Sequence, residues 1–382
     1  MRIETCAMTG ASAGTRRELT LYRYGAAGSG PKVYLQAGLH ADEMPGVLVL
    51  QHLMTLLDHA ESYGGVHGEV LVVPAANPIG LSQWAHQRPL GRQDAESLQD
   101  FNRSYPELAK LVGDGLDGTL TGSETENLHL IRRAFRAALA GLEPRTDVQE
   151  LQIALLNWSC DADCVLDLHC DHFAVMHLYA SNARPDVTGL LCRSVGAKLA
   201  LIEDVSGGNA FDEAHTVPWL HLRARYGDKH PIPAGCFSST LEYRGQFDVD
   251  DATAAQDAAN LMTFLAAIGA VKGWIDKPAH PDALHLPLGG AVEVFAPQGG
   301  VVSWLVRPGD AVMAGQTLAH VTDPVSRRCL SVVAPVAGML FRTELWRSCL
   351  RGQSLAHVAG EKIVRTGDLP ADRDATRTGS LS

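Results

Sequence analysis

Short, largely apolar runs alternate with amphipathic stretches along the first two thirds of the chain. The runs at 33–37, 69–74, 165–169, 174–180 and 238–243 read as strands of a buried sheet. The segments at 45–59, 124–140, 187–197 and 252–268 carry apolar residues at helical spacing, and Pro45 suits the first position of a helix. That order predicts an α/β domain over residues 1–275, a mixed, mainly parallel sheet flanked by helices. Residues 114–121, rich in Gly and Asp, predict a surface loop.

After Trp274 the pattern changes. Pro278, Pro281 and Pro287 punctuate a linker-like stretch, which places a boundary at 275–288, and residues 288–362 read as the short strands and turns of a smaller all-β domain. Within it, Gly315-Gln316-Thr317-Leu318-Ala319-His320-Val321 recurs as Gly352-Gln353-Ser354-Leu355-Ala356-His357-Val358, so the module reads as two related β halves. The pattern resembles a biotinyl or lipoyl carrier domain, but no Lys occurs between Lys277 and Lys362. Without an acceptor amine the module reads as structural or gating, and His320 and His357 as packing residues. Residues 366–382, polar and rich in Arg, Asp, Thr and Ser, read as a disordered tail.

Composition narrows the class of protein. A net charge of −11 argues against nucleic acid as a main partner, because that affinity comes from Lys and Arg neutralising phosphates. Eight Cys without a compact framework fit reduced thiols, and the spacing of Cys160, Cys164 and Cys170 matches no zinc knuckle. No apolar stretch approaches the roughly 18 residues of a membrane span, and Met1 to Gly10 lacks the apolar core of a secretion signal. The expectation is a cytoplasmic protein without a membrane partner; a homo-oligomer is compatible with the sequence.

Candidate chemistry collects at strand ends. His40 and Glu43 follow the run 33–37, where open α/β sheets place their ligands, and His169 closes a second apolar run. Imidazole nitrogen and carboxylate oxygen suit Zn²⁺, and a third protein ligand leaves a position for water. With sixteen His in the chain, a His-x-x-Glu pair also arises by chance, so the pair needs company. Asp167 shares a strand face with His169 and reads as the carboxylate that orients this region. Asn102 and Arg103 offer a neutral donor and a forked cation for a carboxylate. Arg92, or else Arg88, would stabilise an oxyanion, and Glu242 at the end of an apolar run would carry a proton.

The order His-x-x-Glu, Asn77-Pro78, Asn102-Arg103, Asp167-Leu168-His169 and Thr240-Leu241-Glu242 resembles the succinylglutamate desuccinylase and aspartoacylase family, relatives of zinc carboxypeptidases, across roughly residues 30–360. Asp167 to Asp171 leading to His177-Leu178-Tyr179, and Ser206 to Ala214, strengthen the resemblance. It implies a zinc carboxypeptidase-like fold with a carboxyl-terminal β domain. It also implies one Zn²⁺ per chain on His40, Glu43 and His169, Glu242 as acid/base, and a substrate carboxylate at Arg103 with Asn102. The oxyanion role transfers to Arg92 less directly, because the spacing to that arginine varies in the family. The implied activity is hydrolysis of the amide bond of a small N-acyl amino acid by a metal-activated water. Two alternatives stand beside it: a zinc carboxypeptidase acting on short peptides, and a non-catalytic metal- or ligand-binding protein. Mn²⁺, Co²⁺ or Fe²⁺ would suit the same ligands, and neither the acyl group nor the amino acid is readable.

Overall fold

A computed structural model gives the arrangement of residues 1–10, 12–274, 279–367 and 369. Its centre is a nine-stranded sheet in the order Arg2–Met8, Arg17–Gly25, Glu69–Val73, Lys32–Ala37, Cys164–Asp171, Phe237–Gly245, His177–Ala180, Leu199–Ile202 and Leu284–Pro287. The inner strands Lys32–Ala37, Cys164–Asp171 and Phe237–Gly245 pair parallel, while the amino-terminal hairpin and the Phe237–Gly245/His177–Ala180 pair are antiparallel. Every residue of Cys164–Asp171 is buried, as a strand covered on both faces requires.

Helices cover the two faces. Pro45–Ser62, with Pro at its start, buries Val49, Leu50, Leu53, Leu57 and Ala60, a spacing that lays one apolar stripe on the sheet. Pro185–Val195 and Asp251–Ala267 join it in the same core. Glu124–Ala140, Asp147–Ser159 and Glu213–Tyr226 bury Ile131, Phe135, Leu151, Leu155 and Trp219 in a second core. The α/β reading therefore holds, with the four expected helices present within a few residues. The hairpin of the first two strands and the helices Asp147–Ser159 and Glu213–Tyr226 were not read from the sequence. The expected strand 174–180 is two strands, Phe173–Ala174 and His177–Ala180, serving different sheets.

The carboxyl-terminal region is all β apart from one 3₁₀ turn, Leu288–Gly290, among the described residues. The two copies of the sequence repeat become the strands Thr317–Thr322 and Ser354–Ala359, one in each of two small sheets, and Leu318, Val321, Leu355 and Val358 fill the core between them. Two features tie this region to the large sheet. Part of the expected linker, Leu284–Pro287, is instead the edge strand of the nine-stranded sheet. Phe173–Ala174 pairs antiparallel with Gly338–Thr343. Residues 275–278 and most of the expected disordered tail lie outside the described residues.

Candidate metal and active site

Three strand ends of the large sheet converge on one point. The chain leaves Lys32–Ala37 through Gly38, whose φ of +71° is a left-handed turn that glycine adopts without strain. That turn delivers His40 and Glu43 just before the helix at Pro45. Gly91 packs against this loop so closely that a Cβ would lie 2.2 Å from the Asp42 nitrogen, and its carbonyl accepts the Ala41 N–H at 3.0 Å. A side chain at Gly91 would therefore displace either the ligand loop or the neighbouring Arg92.

His40, Glu43 and His169 are buried, and one candidate ligand atom from each lies within 4.8 Å of the others. Glu43 bridges the imidazoles: Oε1 is 3.0 Å from His40 Nδ1 and Oε2 is 2.8 Å from His169 Nδ1. The opposite ring nitrogens face carboxylates, His40 Nε2 at 2.9 Å from Asp100 and His169 Nε2 at 2.8 Å from Asp167. An orienting carboxylate on the far nitrogen is the usual support of a ligating imidazole. Gln36 carries the support one step further, donating to Asp167 at 3.1 Å and accepting from the Tyr34 hydroxyl at 2.9 Å.

The electrostatics point the same way. Burial works against a charged His169, but Asp167 and Glu43 override it and hold its pKa well above the ordinary value. Burial likewise opposes ionisation of Glu43, yet His40 and His169 hold its carboxyl well below the usual range. Carboxylates that draw a proton onto a buried imidazole make an equally favourable place for a cation, and the donor set of two imidazoles and one carboxylate fits Zn²⁺.

Around this cluster is a cavity of about 220 Å³ lined by Arg92, Asn102, Arg103 and Glu242. Glu242 lies opposite His169 in the register of two parallel strands, and its buried Oε2 has no hydrogen-bond partner among the described residues. Burial, then Asp171 and Glu43, push its pKa well up. Arg92 reaches Asp100 at 3.3 Å and Glu43 at 3.8 Å, whereas Arg88 sits over the Trp346 ring, 4.4 Å from its centre. Asn102 is turned inward: its Oδ1 accepts the Phe211 N–H at 2.8 Å and its Nδ2 is 3.4 Å from His169 Nε2. Arg103 is half-buried, donating to the Asn102 carbonyl at 2.6 Å.

Several residues at the site were not read from the sequence. Asp100 stands beside Asn102 in the segment that carried the family resemblance, but nothing in its spacing pointed to His40. Asp171 pairs with the buried Arg342 of the β region, whose Nε also donates to His357 Nδ1 at 2.9 Å. His357 Nε2 is 3.2 Å from Glu293. Phe341, Arg342, His357 and Glu293 all line the cavity, so His357 does more than pack, while its repeat mate His320 lies away from it. Burial holds the Cys170 thiol far above its ordinary pKa, and its contribution to the site is the backbone N–H, which donates to Glu43 at 3.0 Å.

Residues 29–198 match the model of the Succinylglutamate desuccinylase/Aspartoacylase catalytic domain. This stretch is similar to a catalytic domain of that family. The match is shorter than the span of roughly 30–360 over which the motifs were read, but it contains His40, Glu43, Arg92, Asn102, Arg103, Asp167 and His169. A solved structure from Shewanella amazonensis, assigned to the succinylglutamate desuccinylase/aspartoacylase family, is 25% identical, with 94% of this chain and 99% of that one covered and a TM-score of 0.82. Another of the same assignment from Shewanella frigidimarina is 24% identical over 94% and 96%, with a TM-score of 0.80. The ectoine utilization protein EutE (DoeB) from Ruegeria pomeroyi, in a product-bound structure, is 19% identical over 93% and 94%, with a TM-score of 0.61. The last two likenesses show a shared fold. No curated protein matches the chain. Among the described residues no helix is long and apolar enough to cross a membrane.

Proposed function

We propose that this protein is a zinc-dependent hydrolase of the succinylglutamate desuccinylase/aspartoacylase family that cleaves the amide bond of a small N-acyl amino acid. The observation that carries the reading is the convergence of a buried His40–Glu43–His169 cluster with an unpartnered buried oxygen of Glu242 in one cavity. A purely structural metal site closes its coordination and has no use for such a carboxylate.

His40, Glu43 and His169 would hold the ion, with Asp100 and Asp167 fixing the two rings. When bound, Zn²⁺ supplies a nucleophile from water near neutral pH and Lewis-acid polarisation of the scissile carbonyl. Glu242 takes the proton of the attacking water at its buried oxygen and returns it to the departing amine, a role that a raised carboxyl pKa suits. Arg92 stands beside Glu43 and Asp100, from where its guanidinium faces the charge that develops on the carbonyl oxygen. Arg103 receives the carboxylate of the amino acid, with Asn102 holding the backbone around it.

The cavity favours small substrates over peptides. Phe341, Arg342 and Glu293 of the β region form part of its wall, leaving a volume of about 220 Å³, below the usual range for drug-sized ligands. The test is metal analysis followed by a screen of acetyl, succinyl and longer acyl derivatives of many amino acids against zinc-loaded protein, reading free amine. Release from a small N-acyl amino acid supports the reading. Ready cleavage of long peptides would favour the carboxypeptidase alternative, and ligand binding without amine release the non-catalytic one.

A further inference from the structure

A second cleft lies on the other side of the wall that closes the metal-site cavity. Consecutive residues of an extended strand point to opposite faces, and Gly338–Thr343 divides accordingly: Arg342 lines the first cavity and Thr343 the second. The paired segment divides too, with His172, just before the partner strand, lining the first cavity and Phe173 the second. The second cleft has a volume of about 400 Å³, within the range of small-molecule sites.

Two of its polar groups lack a hydrogen-bond partner among the described residues. Thr343 is only 3% exposed, yet among the described residues its hydroxyl has no hydrogen-bond partner, and the buried Trp304 indole N–H has none. Buried donors of this kind cost free energy unless something accepts from them. Arg307 and Arg347, both exposed, line the same cleft, and Arg347 Nη1 donates to the Glu344 carbonyl at 3.2 Å. Phe173 and Leu305 present apolar surface there, at 45% and 59% exposure. Two neutral donors, two guanidiniums and apolar walls describe a complement for an anion with a small apolar body.

We propose that this cleft is a binding site for a small organic carboxylate, with the carboxylate accepting from Thr343, Trp304 and the two arginines and the apolar body lying on Phe173 and Leu305. The site is separate from the proposed catalytic cavity and does not depend on the hydrolase reading. The probe is benzoate, titrated calorimetrically into the full chain, with Arg103→Ala as the background that removes carboxylate binding in the first cavity.

In the Arg103→Ala background, saturable one-to-one binding is expected, weakened at least about tenfold when Arg307→Ala/Arg347→Ala is added, the scale of lost charge-assisted hydrogen bonds. Thr343→Val keeps the shape of the side chain and should weaken binding to a similar degree, so the result does not rest on the folding of the double variant. Benzamide, of nearly the same shape but neutral, should bind far more weakly. No saturable binding, binding abolished by Arg103→Ala but kept in the arginine double variant and in Thr343→Val, or benzamide binding as tightly as benzoate would each overturn the proposal.

Discussion

Glu242 and His169 occupy the same register on adjacent parallel strands, so the carboxylate and the imidazole are neighbours because of backbone pairing and not because of a flexible loop. A group held this way is preorganised, and its chemistry is separable from its structural role by an isosteric change. Glu242→Gln should retain the fold and zinc content while turnover falls by roughly 10² to 10⁴, the usual worth of a positioned acid/base. The measurement is kcat on the best substrate of the acyl screen beside metal analysis of the same preparation. Near-normal turnover with zinc bound would remove Glu242 from the mechanism.

In the proposed site, Asp167 and Asp100 would act on the metal only through the rings they hold. Replacing either with Asn keeps a hydrogen-bond acceptor but removes the charge that fixes each ring nitrogen, and a loss of roughly 10- to 100-fold in zinc affinity is expected. Competition with a chromogenic chelator reads this directly. Of the two, Asp167 is the more deeply buried and is also held by Gln36, so Asp167→Asn should disturb local stability more.

How far the sequence carried is visible in these same residues. His40, Glu43, His169 and Glu242 were legible because each lies at or just after the end of an apolar run. Asp167 was legible through strand alternation, which puts it on the face of His169. Asp100 and Arg342 were not, since they meet His40 and Asp171 across 60 and 171 residues of chain, through a loop or another sheet, and no local period encodes such a contact. The hairpin of Arg2–Met8 and Arg17–Gly25 was missed for a different reason: only four of its sixteen strand residues are buried, leaving too weak an apolar pattern. His357 was read as a repeat residue, and its repeat mate shows why sequence alone misleads there: equal positions in two β halves face different neighbours once only one half abuts the large sheet.

Acid should destabilise the protein through a histidine outside the metal cluster. His215 is buried between the Phe211 carbonyl and the Ser159 hydroxyl, and burial pushes its pKa down from 6.5 to about 4. Unfolding therefore binds a proton between those pH values that the folded state refuses. Stability from this group is complete above pH 6.5 and falls as pH drops toward about 4, by up to about 3 kcal/mol at 1.36 kcal/mol per unit. Denaturant unfolding at several pH values checks it. His215→Gln should lower stability at neutral pH but flatten its decline between pH 6.5 and 4, and an unchanged slope would mean that other groups carry the acid sensitivity.

The two candidate oxyanion arginines, four residues apart, are now separable by their surroundings. Arg88 lies over Trp346 at the surface, where a cation–π contact is worth about 0.5–1 kcal/mol to stability. Arg92 lines the cavity, and its charge is balanced by Asp100 and Glu43. Because Arg92 already has these partners in the resting site, its value to the reaction depends on facing charge that appears only in the transition state, so its loss should fall on kcat more than on KM. Arg92→Ala is expected to lower kcat roughly 10²- to 10³-fold, whereas Arg88→Ala should leave kcat within about twofold and cost only a small shift in unfolding midpoint. Lysine at position 92 keeps the charge but not the fork that spans Asp100 and Glu43, so it should restore part of the rate; full restoration would mean that charge alone suffices.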